Sequence, residues 1–209
     1  MKKISILFLL SLTVMLSGCG HDTECRVHGV MPNDSYEGKY IYMIALDKSI
    51  RDSVGVDSCM VKDRKFEMTT RKNMMAIIRM DWHFRYGLQD LLVVEEPGDI
   101  YVTIDSVSSA KGTVNNDALD SWKRITEVHN MQYRELMRIS RKAAVTGDTA
   151  TANSVKMRAD SIHTVYKNRT RTMAAELSEG PLKDFLSTMF PTHYKRRMPD
   201  GTVRECELP

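Results

Sequence analysis

Between residues 24 and 114, short apolar runs alternate with polar breaks, as they do in strands that expose one face to water. Residues 39–46, 74–80 and 100–105 are the clearest of seven or eight such runs, which follow one another at roughly ten-residue spacing. No helix-length pattern interrupts them. The pattern therefore predicts an antiparallel, β-sandwich-like domain over residues 24–114.

After residue 114 the apolar period changes from two to about 3.6 residues. Asn115, Asn116 and Asp117 are suitable capping residues for a helix whose apolar face includes Trp122 and His129. A second helix follows the break at residues 147–148 and ends at residues 180–181, and a short third helix covers residues 182–190. The pattern over residues 115–190 therefore predicts an antiparallel helical hairpin plus a short helix. The expected fold class is α+β, with residues 191–209 as a polar, partly disordered tail.

The first nineteen residues have the pattern of a lipoprotein signal. Lys2 and Lys3 precede an apolar run at residues 4–15, which is too short to span a bilayer. The run ends in the sequence Leu-Ser-Gly-Cys at residues 16–19, a lipobox in which small residues precede the thiol that receives lipid. We expect residues 1–18 to be cleaved, Cys19 to be the lipid attachment site and residues 19–23 to form a tether. An ordinary secretory signal with an incidental cysteine is the alternative.

The lipobox implies a location in the cell envelope, because two or more acyl chains hold a protein stably on a membrane. Gly20 stands where an Asp favours retention at the inner membrane of many Gram-negative bacteria. We therefore expect the outer membrane rather than the inner one, with the leaflet left open. The partners implied are the membrane, through the lipid on Cys19, and an unidentified envelope protein.

The charge and the cysteine count exclude several classes of function. Removing residues 1–18 removes Lys2 and Lys3, so the formal charge falls from +3 to +1, and no basic stripe remains to bind nucleic acid. Cys25, Cys59 and Cys206 remain after lipidation. This odd count leaves at least one free thiol or an intermolecular bond. No pair has the spacing of a redox or zinc motif.

The remaining chemical candidates have ordinary structural explanations. Residues 81–83, Asp-Trp-His, form the densest local cluster, which we interpret as a strand end with a half-buried tryptophan. Glu95, Glu96 and Asp99 are carboxylates in a turn context. We expect His129 to pack in the core rather than to bind a ligand, and Cys59 to be buried and inert. The sequence predicts no catalytic residue, no metal site and no cofactor.

Three segments in order carry a family resemblance. They are DSVGVDSCMVKDRKFE at residues 52–67, VEEPGDIYVTID at residues 94–105 and KGTVNND at residues 111–117. Together they resemble the domain of unknown function that precedes thioredoxin-like domains in many lipoproteins of Gram-negative gut bacteria. Arg64 stands where that family usually has Gly. No thioredoxin-like domain with its Cys-x-x-Cys motif follows in this sequence, so the resemblance implies no catalytic residues here.

These observations predict a non-enzymatic, membrane-anchored lipoprotein that binds or scaffolds another envelope component. One alternative is an accessory to a separate thioredoxin-like thiol–disulfide oxidoreductase, which would use one of the remaining thiols. A second alternative is a hydrolase with an unrecognised site, which would need two close carboxylates in a cleft.

Overall fold

The computed structural model of the protein describes residues 23–52 and 55–207. Eight strands come first: β1 Cys25–Val30, β2 Tyr40–Ala45, β3 Val56–Met60, β4 Lys65–Thr70, β5 Met74–Met80, β6 Leu91–Glu95, β7 Gly98–Thr103 and β8 Ser109–Lys111. A short 3-10 helix, Asp34–Tyr36, precedes β2. Three helices follow: α1 Val114–Val145, α2 Thr149–Glu176 and α3 Pro181–Met189. The last elements are β9 His193–Arg197 and β10 Val203–Glu207.

The first eight strands form two four-stranded sheets, ordered β4-β1-β7-β8 and β3-β2-β5-β6. The main core contains the alternate residues Val27 and Ile100 of one sheet and Ile41, Ile78 and Val93 of the other. This arrangement confirms the expected α+β class, with a β-rich part followed by helices. The pairing differs from expectation at one position, because β1 and β7 are parallel neighbours.

A second core lies on the other side of the sheet that contains β5 and β6. Met75 and Val94 point away from the main core and pack with Trp122 of α1 and with Leu182 and Leu186 of α3. The molecule therefore has three layers: a sheet, a second sheet, and helices. Because β5 and β6 contribute to both cores, the helices and the sandwich are joined by a shared apolar interior.

Helices α1 and α2 form an antiparallel hairpin closed by the turn at residues 146–148. Gly147 has a positive φ of 81°, a conformation that glycine adopts without strain. Asp148 caps α2 by accepting a hydrogen bond from the Thr151 N–H. At the other end, Pro181 occupies the first turn of α3, where no intrahelical partner for its nitrogen is needed.

The C-terminal tail differs from expectation. The described residues of this segment, 191–207, include strands β9 and β10, which pair as an antiparallel hairpin from Val203–Arg197 to Glu207–His193. The prediction of partial disorder was based on the polar composition of the tail. It overlooked the turn at Asp200 and Gly201, where the Asp200 carboxylate accepts hydrogen bonds from the N–H and hydroxyl of Thr202.

Candidate functional site

The predicted lipid attachment site, Cys19, lies outside the described residues, as does the whole predicted signal peptide, residues 1–18. The three other cysteines are free thiols. Cys25 is fully buried, and burial raises the pKa of its thiol to about 11. Cys59 is half-buried against the main core, and burial raises its pKa as well. Neither thiol has the depressed pKa of a redox-active cysteine. Cys206 is half-buried in β10.

The three carboxylates at residues 95–99 point to different parts of the molecule. Glu95 is buried and accepts a hydrogen bond from the Thr70 hydroxyl at 2.7 Å, and burial raises the pKa of its carboxyl. Glu96 accepts a hydrogen bond from the Asn115 N–H at 3.0 Å, at the start of α1. Asp99 lies on the outer face of the first sheet. The three side chains therefore have separate structural partners and do not share one cleft.

Asp99 belongs to a polar cluster on that outer sheet face. Its carboxylate accepts hydrogen bonds from Arg26 Nε and His28 Nε2, both at 2.9 Å. These two contacts, the Arg26 one first, lower the pKa of Asp99 to about 2. His28 also stacks on Tyr101, with ring centroids 5.4 Å apart. Sequence reasoning missed this cluster, because it requires the parallel pairing of β1 with β7.

The third family segment, residues 111–117, forms the joint between the sandwich and the helices. Asn116 is fully buried, and its side-chain oxygen accepts a hydrogen bond from the Val94 N–H at 3.0 Å. Its side-chain nitrogen donates to the Val94 carbonyl at 2.9 Å and to Thr113 Oγ1 at 2.8 Å. β6 is an edge strand. The Asn116 amide therefore takes the place of a neighbouring strand and fixes the start of α1 against the sheet edge.

Two neighbours of Asn116 complete this joint. Asp117 accepts a hydrogen bond from the Gly112 N–H at 3.1 Å. Gly112 has a φ of 110°, and a Cβ atom there would lie 2.5 Å from the carbonyl oxygen of Asp99. Only glycine fits this approach of two chain segments. The Gly, Asn and Asp of the segment thus have structural roles that account for their spacing.

The departure at Arg64 also has a structural basis. Asp63 and Arg64 form the tight turn before β4, and both have positive φ, 50° and 60°. Glycine is the residue that tolerates this conformation best, which is consistent with the family's usual Gly. Arg64 is held there by hydrogen bonds from its guanidinium to the carbonyl oxygens of Met31 at 3.4 Å and Pro32 at 3.0 Å.

The histidines of the hairpin form an aromatic cluster. His129 is buried, as predicted, and stacks on Tyr166 with ring centroids 4.1 Å apart. Its Nε2 lies 3.3 Å from His163 Nδ1. Within the described chain no group of three or more His, Cys, Asp or Glu side chains is arranged to hold a metal ion. The same residues include no helix that is both long and apolar enough to cross a membrane.

Among the described residues, an exposed group of aromatic side chains lies in the aromatic loop, residues 81–88, between β5 and β6. Trp82, Phe84 and Tyr86 are 65%, 42% and 96% exposed. The expectation of a half-buried tryptophan is therefore wrong, because β5 ends at Met80 and Trp82 lies beyond the sheet. Asp81 shapes the loop by accepting hydrogen bonds from the His83 N–H at 3.0 Å and its Nδ1 at 2.7 Å.

The aromatic loop lies at the opposite end of the sandwich from the first described residues. At one end, the Gly98 N–H donates to the Glu24 carbonyl, where β1 and β7 begin. Both strands run away from this point and end at Val30 and Thr103. Asp105 follows β7, and its carbonyl accepts a hydrogen bond from the Gln89 N–H, directly after the aromatic loop. Strands of six residues separate the two ends by ~20 Å.

Comparison with known proteins finds one similarity, to a family of domains of unknown function. Residues 25–119 match the family model of a domain of unknown function, DUF4369. No curated protein and no solved structure matches the chain. The matched range begins at β1 and ends within the first turns of α1, so it contains the complete sandwich and the Asn116 joint. Residues 25–119 of this chain are therefore similar to the domain of unknown function DUF4369.

Proposed function

We propose that this protein is a non-enzymatic, lipid-anchored binding module of the cell envelope, held at the membrane through Cys19. The lipobox at residues 16–19 supports the anchor. The short tether of residues 19–23 would keep the Glu24 end of the sandwich next to the bilayer, since five residues span at most ~17 Å. The outer membrane is the preferred location, because Gly20 follows the lipidated cysteine.

The observation that carries the binding function is the exposed aromatic loop. A single exposed aromatic side chain is common on protein surfaces, whereas three are exposed within five residues here, with Lys39 Nζ 4.5 Å from the centre of the Phe84 ring. Aromatic residues are also enriched at binding surfaces, because they provide large contact areas at low cost in side-chain entropy. The loop would point away from the membrane, so a partner could reach it.

The binding proposal is tested by photo-crosslinking in intact envelopes. A photoreactive residue replaces Tyr86, whose side chain is 96% exposed, and a second variant carries it in place of Met157, which is 73% exposed on the hairpin. We expect a discrete adduct from position 86 that disappears when Trp82→Ala and Phe84→Ala are added. Equal adducts from both positions, or an adduct that survives the two substitutions, would contradict the proposal.

The anchor is tested separately by acyl labelling. Cys19→Ala should abolish incorporation of a labelled fatty acid and leave the protein unprocessed or soluble. Retention of the label in this variant would contradict the anchor without bearing on the aromatic loop. Conversely, the absence of an adduct at position 86 would contradict the binding proposal without bearing on the anchor.

A redox-accessory function has less support. It would require an accessible thiolate, whereas burial raises the pKa values of Cys25 and Cys59. A hydrolase would need neighbouring carboxylates in a cleft, whereas Glu95, Glu96 and Asp99 are each held by different partners.

A further inference from the structure

The helical hairpin continues well past the sandwich. Lys123 of α1 donates a hydrogen bond to the Ser108 carbonyl, which lies at the far end of β7 and β8. From Lys123 to the end of α1 at Val145, the helix extends ~33 Å further at 1.5 Å per residue. Most of this segment packs against α2 alone. One flank of the outer hairpin is therefore left uncovered by the described part of the chain.

The part of the seam between α1 and α2 nearest the turn at residues 146–148 is made of small residues. Ser140, Ala143, Ala152 and Ala159 are buried there, and Ser140 Oγ donates to the Ala152 carbonyl at 2.9 Å. Small side chains let the two helices approach closely, so larger apolar residues are displaced to the flanks. The hairpin thus buries Ala143, Ala152 and Ala159 and exposes several of its larger apolar residues.

These larger residues form a continuous groove, the hairpin groove, along one flank. Val128, Met131 and Val165 are 51%, 61% and 65% exposed. They border the groove together with Ile125, Leu136 and Ile162, and the polar residues Gln132, Glu135, Arg158 and Arg169 line it as well. Residues of the C-terminal tail that the structure describes do not line this groove. An apolar strip of this kind is typical of a surface that packs against another helix pair.

The contacts within the hairpin define which residues lie at the same level along it. Ser140 contacts Ala152, and His129 contacts His163. In both pairs the two residues are equally far along the chain from Thr146. By this register, the position on α2 at the level of Val128 lies next to Val165 in the sequence, so the two valines are at nearly the same level. Met131 is matched in the same way with Ile162, and Glu135 with Arg158.

We propose that the hairpin groove is the contact surface between two copies of this chain, which form a parallel four-helix bundle about a two-fold axis along the hairpin. In that arrangement α1 of one copy packs against α2 of the second copy. Val128 then meets Val165 of the second copy, and Met131 meets Ile162 of the second copy. Glu135, whose carboxylate also accepts hydrogen bonds from Arg138 of its own helix at 2.7 and 2.9 Å, faces Arg158 of the second copy. The contact is therefore both apolar and complementary in charge.

The orientation of the two copies agrees with the proposed anchor. A two-fold axis along the hairpin puts both N-terminal ends on the same side, as two proteins attached to one membrane require. An antiparallel dimer would point the two anchors in opposite directions and would pack α1 against α1, so Glu135 would not face Arg158. Only the orientation argument depends on the anchor; the apolar groove and its register do not.

The test uses charge reversal in the full chain, purified in detergent and measured by sedimentation equilibrium. The wild-type protein should be a dimer. Glu135→Arg alone and Arg158→Glu alone should each raise the dissociation constant at least ~10-fold, because each brings like charges together. An equimolar mixture of the two variants should regain the wild-type affinity, since each Arg then faces a Glu on the other copy.

The controls separate association from folding. Asp160→Arg, on the opposite side of α2, should leave the dimer unchanged. Identical far-ultraviolet circular dichroism spectra for all variants exclude unfolding as the cause; urea midpoints are not compared, because loss of the dimer lowers them by mass action. A monomeric wild-type protein at all concentrations would overturn the proposal, including the case in which that monomer binds an added thioredoxin-like protein instead. Wild-type affinity in either single variant, or no recovery in the mixture, would overturn the parallel register.

Discussion

Replacement of Asn116 by Ala should uncouple the helices from the sandwich more than any exposed substitution in the same segment. The side chain makes three hydrogen bonds, two of them to the backbone N–H and carbonyl of Val94. Both backbone groups lie on the outer edge of β6, where no further strand is available to bond them. The substitution therefore leaves a buried donor and a buried acceptor without partners.

The expected cost follows from these two groups. A buried donor or acceptor left unsatisfied costs ~1–3 kcal/mol, and a water molecule entering the vacated space recovers part of that cost. We therefore expect Asn116→Ala to lower the free energy of unfolding by ~2–4 kcal/mol. The total stability of a domain is only ~5–15 kcal/mol, so this is a large fraction.

Urea denaturation followed by tryptophan fluorescence measures this effect, because Trp122 is buried in the second core and reports on its integrity. Asn115→Ala is the matched control. Its half-buried side chain donates one hydrogen bond, to Glu96 at 2.6 Å, and its loss should cost ~0.5–1.5 kcal/mol. If Asn116→Ala is no more destabilising than Asn115→Ala, the assigned role of Asn116 is wrong.

A second substitution tests the direction of the hydrogen bonds. Asn116→Asp keeps the size and one acceptor but turns a carboxylate oxygen toward the Val94 carbonyl. Burial raises the pKa of the introduced carboxyl above its unfolded value, so the folded state binds the proton more tightly. This variant should therefore gain stability relative to wild type as the pH falls from 7 towards 4. A constant difference across that range would contradict the assignment.

Three further predictions follow. Arg64→Gly and Arg64→Ala both lose the guanidinium contacts, but only Gly adopts the positive φ without strain. The free energy of unfolding of the Gly variant should therefore exceed that of the Ala variant by ~1 kcal/mol. Equal values would show that the turn is unstrained. Asp99 has a lowered pKa, so the wild type should be more stable than Asp99→Asn above pH 3.8 and should lose this advantage as the pH falls through about 2. Acid unfolding of the two proteins measures the difference. An advantage that persists below pH 2 would refute the assigned role of Asp99. In timed alkylation with mass spectrometry, Cys25 and Cys59 should react more slowly in the native than in the urea-unfolded protein, and Cys25 should be the slower of the two. A native rate equal to the unfolded rate would support the redox-accessory function instead.

The strands could be predicted because their signal is local. The runs predicted at residues 39–46, 74–80 and 100–105 lie within two residues of β2, β5 and β7. The pairing of β1 with β7 could not be predicted, because nothing in either strand specifies a parallel neighbour. The second core had a signal that was overlooked: β5 and β6 are nearly continuous apolar runs, which indicates strands that are buried on both faces.

For the helices, periodicity predicted that α1 and α2 exist, but it did not predict which of their side chains are buried. Val165 belongs to the apolar pattern of α2, yet it is 65% exposed, while Ala152 and Ala159 are buried against α1. A hydrophobic pattern cannot tell a seam of small residues from a flank of large ones. The aromatic loop was visible in the sequence as residues 81–83, but its exposure depends on β5 ending at Met80, which composition does not define.

The central position of β1 has a consequence for how the chain folds. β1 pairs with β4 on one side and with β7 on the other, and its Arg26 contacts Asp99, which is 73 residues further along the chain. The first strand therefore cannot be enclosed until β7 has been synthesised. Contacts of such long range slow folding, because the loop between the strands must close first. During that delay Cys25 is accessible to oxidants, so its thiol is vulnerable in the nascent chain and protected once the sheet is complete.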